Sequence, residues 1–418
     1  GIADVWLMHD RDIVNRLDDS LMRVDPAGPS ILRSGRGLSP AQIALPATFE
    51  GTPPVLAMGA ALKSTFCLTK GAQAIPSAHI GDLTTAETYA DFQSKIALLR
   101  TLYDVTPRVI AVDLHPDYLS TRHGRQLAKD TGARLITVQH HHAHLASCLA
   151  EHGIGPDDGP AVGVILDGAG LGIDGTIWGG EIVLGDYAGC ERKAHLAPIA
   201  LPGGDQAARA PWRNLVAHLH AAFGPDWQGQ IAGTPLQDLL ADQPVDLITQ
   251  MIAQGVNAPL ASSAGRVFDA VAAALGIAFA RQHYEGQAAM ELEALIGEGT
   301  TSEGYPLAFD PDGVLNWGSL WTGLLADLRA GVVRGTISAR FHTGLAQALA
   351  EKAAHIAGEA KTNRIVLSGG VMQNRVLQHA LEARLHNQGI RVLRPQRVPA
   401  NDGGISLGQA AIAAYSAR

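Results

Sequence analysis

The chain has 418 residues, 46% hydrophobic and 17% charged with 47 glycines, the make-up of a folded globular chain too long for one small core. A formal charge of -8 weighs against a nucleic-acid partner, which would call for a basic excess. Three cysteines without a CxxC pair exclude a disulfide framework and fit a reducing cytoplasm; no apolar run reaches the roughly 18 residues that cross a bilayer, so no membrane partner is expected.

The chain starts in mid-pattern at Gly1 with no basic segment leading an apolar one, so it reads as a piece of something longer without a signal peptide. Residues 1–50 hold a short strand at 5–8, a polar stretch and a Gly/Pro-rich approach, with too little apolar periodicity to fold alone. Strands at 55–58 and 65–68 flank a turn at 59–64. Thr84 and Glu87 give a capping-box signature for a helix running towards Tyr103. A buried strand at 109–112, a helix at 122–129 and a strand at 135–138 lead into a helix that stops near Gly153. A second strand–turn–strand unit spans 161–184, and its likeness to the hairpin at 55–68 points to an internal duplication. Helices dominate from Gln206 to Glu298 and again from Trp317 to Lys361. Strand–helix alternation then returns, with strands at 365–367 and 392–393 and helices from Val371 and after Gly404. The pattern predicts an α/β fold of two similar lobes around a cleft.

Gln139-His140-His141-His142-Ala143-His144 follows a buried strand and opens a helix. The i,i+4 spacing puts His140 and His144 on one helix face, where two imidazoles can chelate one divalent metal. His141 and His142 point elsewhere and serve packing or capping. Carboxylates would complete such a site. Asp167 ends an apolar strand and opens Asp167-Gly168-Ala169-Gly170-Leu171-Gly172, while Asp402 sits in Asn401-Asp402-Gly403-Gly404 before a helix. An isolated Asp-Gly is by default a turn or an N-cap; the histidine pair makes these two candidate ligands. The glycine turns at 167–175 and 368–370 expose backbone N–H groups of the kind that cradle phosphate. Neither matches the P-loop or the dinucleotide fingerprint, which disfavours a Walker ATPase or a Rossmann dehydrogenase. Together with 201–205 they predict a nucleotide held between the lobes.

Longer motifs carry a family resemblance. The stretches 56–68, 139–144, 167–181, 201–205 with Pro211-Trp212-Arg213, 262–270, 284–289, 367–374 and 399–409 closely resemble the HypF carbamoyltransferases, in that family's order. The resemblance covers nearly everything from about 50 to the C-terminus. It implies the two-lobed actin/heat-shock-ATPase-like (RNase H-like) fold with a central cleft, shared with the tRNA threonylcarbamoyl transferases (TsaD). Residues 1–50 resemble the tail of the YrdC-like domain and linker that precede this module; 51–200 would be the N-terminal lobe and 201–418 the C-terminal lobe with helical insertions. Carbamoyl phosphate hydrolysis and carbamoyl adenylate synthesis would belong to the family's acylphosphatase, zinc-finger and YrdC-like parts.

By the same resemblance His140, His144, Asp167 and Asp402 bind a divalent metal, iron or zinc, with magnesium as a further candidate. Gly168, Ala169, Gly170, Leu171, Gly369, Gly370 and Asn374 contact ATP or carbamoyl adenylate, and Ser263 and Gly265 sit at substrate contacts. Lys63 and Asp167 are the catalytic candidates, Lys63 as a cation within reach of phosphate. The implied reaction passes the carbamoyl group from carbamoyl adenylate to the C-terminal cysteine thiolate of HypE, towards the cyanide ligands of [NiFe]-hydrogenase. The competing readings are a tRNA threonylcarbamoyl transferase, a small-molecule O-carbamoyltransferase and a non-catalytic ATP-binding docking module. The acidic balance and Thr65-Phe66-Cys67-Leu68 weigh against the first, and the position of the YrdC-like remnant before the module against the second. The third leaves the histidines without a role.

Overall fold

The computed structural model describes residues 3–25, 28–297, 301 and 303–418. Strands β1 (Leu21–Asp25) and β2 (Gly28–Arg33) form an antiparallel hairpin. Residues 5–8, expected as a strand, form none, and Val5, Trp6, Leu7 and Met8 are all exposed. Apolar residues in a row do not make a strand where no neighbouring strand supplies hydrogen-bond partners.

The first sheet contains β3 (Ile43–Ala44), β4 (Val55–Ala57), β5 (Cys67–Lys70), β6 (Gln73–Pro76), β7 (Val109–Asp113) and β8 (Arg134–Val138), in the order β3-β6-β5-β4-β7-β8. β4, β5 and β6 are an antiparallel meander, and β7 and β8 continue parallel to β4. α1 (Ala86–Leu102) returns the chain to β7 and α2 (Leu119–Thr131) links β7 to β8, the crossovers that parallel strands require. β4 and β7 are buried throughout, so their apolar residues run without alternation. α1 begins one residue later than the Thr84–Glu87 signature implies: Thr85 is its cap, accepting from the Thr88 N–H at 3.3 Å.

After α3 (His140–Glu151), a second sheet repeats the plan. β9 (Ala161–Leu171), β10 (Ile177–Gly185) and β11 (Cys190–Leu196) form an antiparallel meander. Short β12 (Ile199–Ala200), β13 (Leu260–Ala261) and β14 (Val314–Leu315) extend its edge, and β15 (Arg364–Ser368) and β16 (Arg391–Leu393) run parallel to β9. Helices α4 (Asp205–Arg209), α5 (Pro211–Phe223), α6 (Leu236–Ala241), α7 (Val245–Gln254), α8 (Ala264–Ala274), α9 (Gln287–Ala294), α10 (Gly318–Arg329) and α11 (Arg334–Glu359) lie between β12 and β15. The helical stretch expected to end at Glu298 has that end outside the described residues. The helix expected from Val371 is delayed: Gly370–Gln373 is a 3-10 turn, and α12 (Arg375–His386) starts behind its cap Asn374. α13 (Ile405–Ser416) ends the fold.

Both sheets thus place three antiparallel strands beside two parallel ones, the first strand of the meander being the common edge. Twice repeated, this is the two-lobed actin-type (RNase H-like) architecture, and the duplication read from the two hairpins is present in full. The lobes do not divide at residue 200, however. The second sheet already begins at Ala161, and the last helix, α13, packs on β4 to β8 of the first. The reason is packing: α3 and α13 lie against each other between the sheets. One buried cluster runs through Val55 and Ala57 of β4, Leu145 and Leu149 of α3, Ile165 of β9 and Ile405 and Ala411 of α13. A division by chain order cannot follow a helix that returns to the first lobe.

Candidate metal centre

β7 and β8 lie side by side, Asp113 opposite Val138, and α3 begins two residues beyond β8. Gln139 starts the helix: its Oε1 accepts from the His142 N–H at 2.8 Å, and its Nε2 donates to the Leu171 carbonyl at 3.1 Å. The first turn of α3 is thereby tied to the end of β9. In β9 the ladder slips, with Leu166 opposite Gly180 and Gly170 opposite Trp178, so Asp167, Gly168 and Ala169 face Gly179 alone. Such a bulge re-aims a side chain at a chosen point of a strand. Asp402 opens the turn before α13.

One nitrogen from each of His140 and His144 and one oxygen from each of Asp167 and Asp402 lie within 4.8 Å of one another. His140 Nε2 is 3.3 Å from Asp167 Oδ2 and 3.6 Å from Asp402 Oδ1, and His144 Nε2 is 3.6 and 3.9 Å from the same two oxygens. The two histidines and Asp167 are buried, while Asp402 is partly open. Among the described residues, His144 Nε2 is a buried polar atom with no hydrogen-bond partner. An imidazole lone pair left so among carboxylates fits a divalent metal, and so does the mixed donor set. The four sequence candidates for the metal are therefore brought together.

Asp113, which the sequence reading missed, shapes this group. Its Oδ2 accepts from His140 Nδ1 at 2.8 Å while its Oδ1 accepts from the His115 N–H at 2.8 Å. The His140 and Asp113 side chains are both fully buried. A signal existed: Asp113 ends the apolar run Val109-Ile110-Ala111-Val112, as Asp167 ends its own apolar run. Burial by itself lowers the His140 pKa, but Asp113 and the cluster carboxylates outweigh it and hold the ring well above its ordinary value. Burial pushes the Asp167 carboxyl up, and the adjoining His140 and His144 rings reverse this to well below the ordinary carboxylate range. Ser368 Oγ lies 3.3 Å from His144 Nδ1, and the Gly370 N–H donates to Asp167 Oδ1 at 3.0 Å.

His141 and His142 stay out of the cluster, as expected. His142 Nε2 is 2.6 Å from the Asp186 carbonyl, and His141 Nε2 is 3.5 Å from Glu181. Glu181 is fully buried, which pushes its carboxyl to about 8 although Ser262 and the Gly180 and Gly179 N–H groups donate to it.

The glycine turns meet the cluster from two sides. A Cβ on Gly170 would come within 2.7 Å of the His141 ring and 2.9 Å of the His140 ring. Gly369 has φ +100, and a Cβ there would stand 2.2 Å from the Leu166 carbonyl, so the turn after β15 passes directly against β9. Ser263 caps α8 and donates to the Gly168 carbonyl at 2.5 Å; Gly265 approaches Gly168 so closely that a Cβ would lie 3.2 Å from its Cα. Ala169 lies in the bulge, and the Leu171 carbonyl is taken by Gln139. Asn374 is more committed to the fold than a free nucleotide contact would be: its Oδ1 accepts from the Leu377 N–H and its Nδ2 donates to His342 Nε2, both at 2.9 Å. Lys63 is not at the cluster but in the β4–β5 turn, its Nζ 2.6 Å from Glu285 Oε2. Burial lowers its pKa, and Glu285, Asp402 and Asp167 together turn the shift upward.

Fold and cluster together define a class: a two-lobed actin-type protein with a His/Asp metal-type centre in its cleft. Residues 163–409 match the family model described as "Carbamoyltransferase, Kae1-like Domain, second subdomain", and residues 50–151 match the HypF Kae1-like domain. The chain belongs to the HypF carbamoyltransferase family. It is 45% identical to carbamoyltransferase HypF of Rhodobacter capsulatus over 418 residues, 99% of this chain and 54% of that protein. A HypF homolog of Cupriavidus necator is 39% identical over 371 residues, 86% of this chain and 91% of that one. A crystal structure of full-length HypF in the phosphate- and nucleotide-bound form superposes with a TM-score of 0.89 at 38% identity, over 99% of this chain and 63% of that one. The chain spans about half the length of most curated relatives it matches.

Proposed function

We propose that this chain is the carbamoyl-transfer module of [NiFe]-hydrogenase maturation, passing the carbamoyl group of carbamoyl adenylate to the C-terminal cysteine thiolate of HypE. The observation that carries this is the set His140, His144, Asp167 and Asp402 within 4.8 Å, beside two glycine turns, in a chain of the HypF family. These four residues would hold a divalent metal, iron or zinc, which supplies Lewis-acid polarisation of the carbamoyl or phosphate oxygen.

The chain's own groups do the rest. Asp113 holds the proton on His140 Nδ1, so Nε2 is the nitrogen that would give up its proton to a metal. The bulge at 167–169 brings backbone N–H groups alongside the cluster, where they would bind and orient the phosphate of AMP as it leaves, against the turn at 369–370, whose own N–H groups are held by the Ala400 carbonyl and Asp167 Oδ1. ATP, the nucleotide from which carbamoyl adenylate is made, would use the same turns; that a full-length HypF has been solved with nucleotide bound supports nucleotide binding by the family. Lys63 adds a cation on the first-lobe side. The acceptor thiolate comes from outside this chain: burial pushes Cys67 and Cys190 up to about 12 and Cys148 well up, so none of the three is a thiolate near neutral pH.

The test supplies carbamoyl adenylate and HypE and reads a carbamoyl mass shift on the acceptor's C-terminal cysteine. Exchanging both His140 and His144 for Ala should abolish metal content and transfer while circular dichroism stays unchanged. Transfer that survives without the histidines would remove the metal from the chemistry, and transfer to tRNA in place of HypE would move the chain to the tRNA-modifying enzymes.

A further inference from the structure

The motif Tyr284-Glu285-Gly286-Gln287-Ala288-Ala289 has no part in the metal cluster, yet its loop is firmly built. Gln282, buried, donates to the Ala208 carbonyl at 2.9 Å and to Asp269 at 3.0 Å, and accepts from the Ala288 N–H at 3.0 Å. Gln287 Oε1 accepts from the His283 N–H at 2.7 Å. Between these anchors the loop presents Glu285, whose side chain is 62% exposed.

Opposite stands the β4–β5 turn, equally fixed. Gln409 accepts from the Gly59 N–H at 2.8 Å, and the Thr65 hydroxyl lies 3.0 Å from the Gly403 carbonyl and 2.8 Å from Ser406 Oγ. The turn is therefore clamped to the loop that carries Asp402. Lys63 sits in it with φ +48, a left-handed backbone that costs a residue with a side chain on the order of 1 kcal/mol and persists only where its surroundings impose it. Its ammonium feels the charges of Asp402 and Asp167 but touches Glu285, at 2.6 Å. Two rigid loops, one from each lobe, thus meet at the cleft through one ion pair.

Such a pair is weakly held because one partner is mostly in water. Carboxylate and phosphate oxygens offer an ammonium the same charge-assisted bond, so one can replace the other without loss of contact. We propose that Glu285 is an exchangeable partner of Lys63, which holds the ammonium at the cleft and gives way to the anionic phosphate of the incoming nucleotide-type substrate. The inference rests on the nucleotide reading of the cleft. It gives the 284–289 motif a role, that of keeping a cation poised and charged without offering it a permanent partner.

The opposite view, in which Glu285 must keep hold of Lys63 for substrate to bind, predicts the opposite sign. AMP and adenosine are titrated calorimetrically into the full-length, Zn²⁺-loaded protein, as wild type, Glu285→Gln, Lys63→Met and the double variant. Glu285→Gln should bind AMP about two- to fivefold more tightly, the range that loss of an exposed ion pair allows, with adenosine unchanged. In the Lys63→Met background the gain should vanish. Unchanged or weaker AMP binding by Glu285→Gln overturns the exchange, as does a gain that survives without Lys63. If wild type binds neither AMP nor adenosine, the nucleotide reading itself fails, and the exchange with it.

Discussion

His140 has two ring nitrogens, and the bond from Nδ1 to Asp113 at 2.8 Å leaves Nε2 for Asp167 and Asp402. An amide at 113 fits the same space but can turn its N–H₂ towards the ring and invert the tautomer. Asp113→Asn should therefore weaken metal binding on the order of 10- to 100-fold, the usual cost of losing such a partner. Competition with a chromophoric chelator measures it, and an unchanged affinity would show the aspartate to be idle. At Gly170 the constraint is space. The Cβ of Gly170→Ala would enter the van der Waals shells of two histidine rings, His140 among them. Metal affinity should fall about tenfold or more, since a ligand ring has to swing away; the visible spectrum of the Co²⁺-substituted protein would report the altered geometry. The His140–His144 pair was legible because both residues ride one helix at fixed spacing. Asp113 carried only the weak signal of its apolar run, because no spacing in the sequence says that its carboxylate meets the His140 ring 27 residues on.

The α3–α13 crossing is the most extensive helix–helix contact among the described residues. A Cβ on Gly408 would stand 1.9 Å from the Ala143 carbonyl and 2.8 Å from the Ser147 N. Gly408→Ala has to push the two helices apart, and with them the histidine-bearing helix from the Asp402 turn. The expected loss is about 2–4 kcal/mol in urea denaturation, together with weaker metal binding; a stability change within about 0.5 kcal/mol would show that the crossing tolerates bulk. A second element-level link joins α11 to α12 through His342. Its Nδ1 donates to the Ser338 carbonyl at 2.8 Å and its Nε2 accepts from Asn374 at 2.9 Å, so the neutral ring fits both partners. Burial lowers its pKa from 6.5 to about 4. The unfolded chain thus binds the proton more readily than the folded one, and the ring's contribution, complete above pH 6.5, is lost as pH falls towards 4. His218, lowered to about 3 by burial, acts in the same direction. His342→Gln should narrow the stability difference between pH 7 and pH 4.5 by on the order of 2 kcal/mol. Urea midpoints at the two pH values check this, and a slope as steep as wild type would clear His342 of the effect.

At the scale of the molecule, each lobe buries a cluster of its own, and a further buried cluster passes through both sheets and ties the two together. The lobes should unfold together. Five of the six tryptophans, Trp178, Trp212, Trp227, Trp317 and Trp321, belong to the second lobe, whereas far-ultraviolet circular dichroism sees both. The two signals should give one coincident urea transition in the metal-free protein, and separated midpoints would mean that the lobes are independent units. The sequence by itself determined most of the local pieces: the buried apolar strands, the histidine pair, the glycine turns, and through repeated hairpins the two-lobed plan. Periodicity and spacing act within a few residues, and that is the range over which those features are set. Tertiary structure alone decided the rest. It slipped the β9 ladder to aim Asp167, laid Asp113 beside His140, brought Asp402 back across the chain and let α13 join the first sheet. It also set Lys63 against Glu285, 222 residues further on. Those juxtapositions follow from which surfaces bury against which, a property of the whole packed chain that no short stretch of it contains.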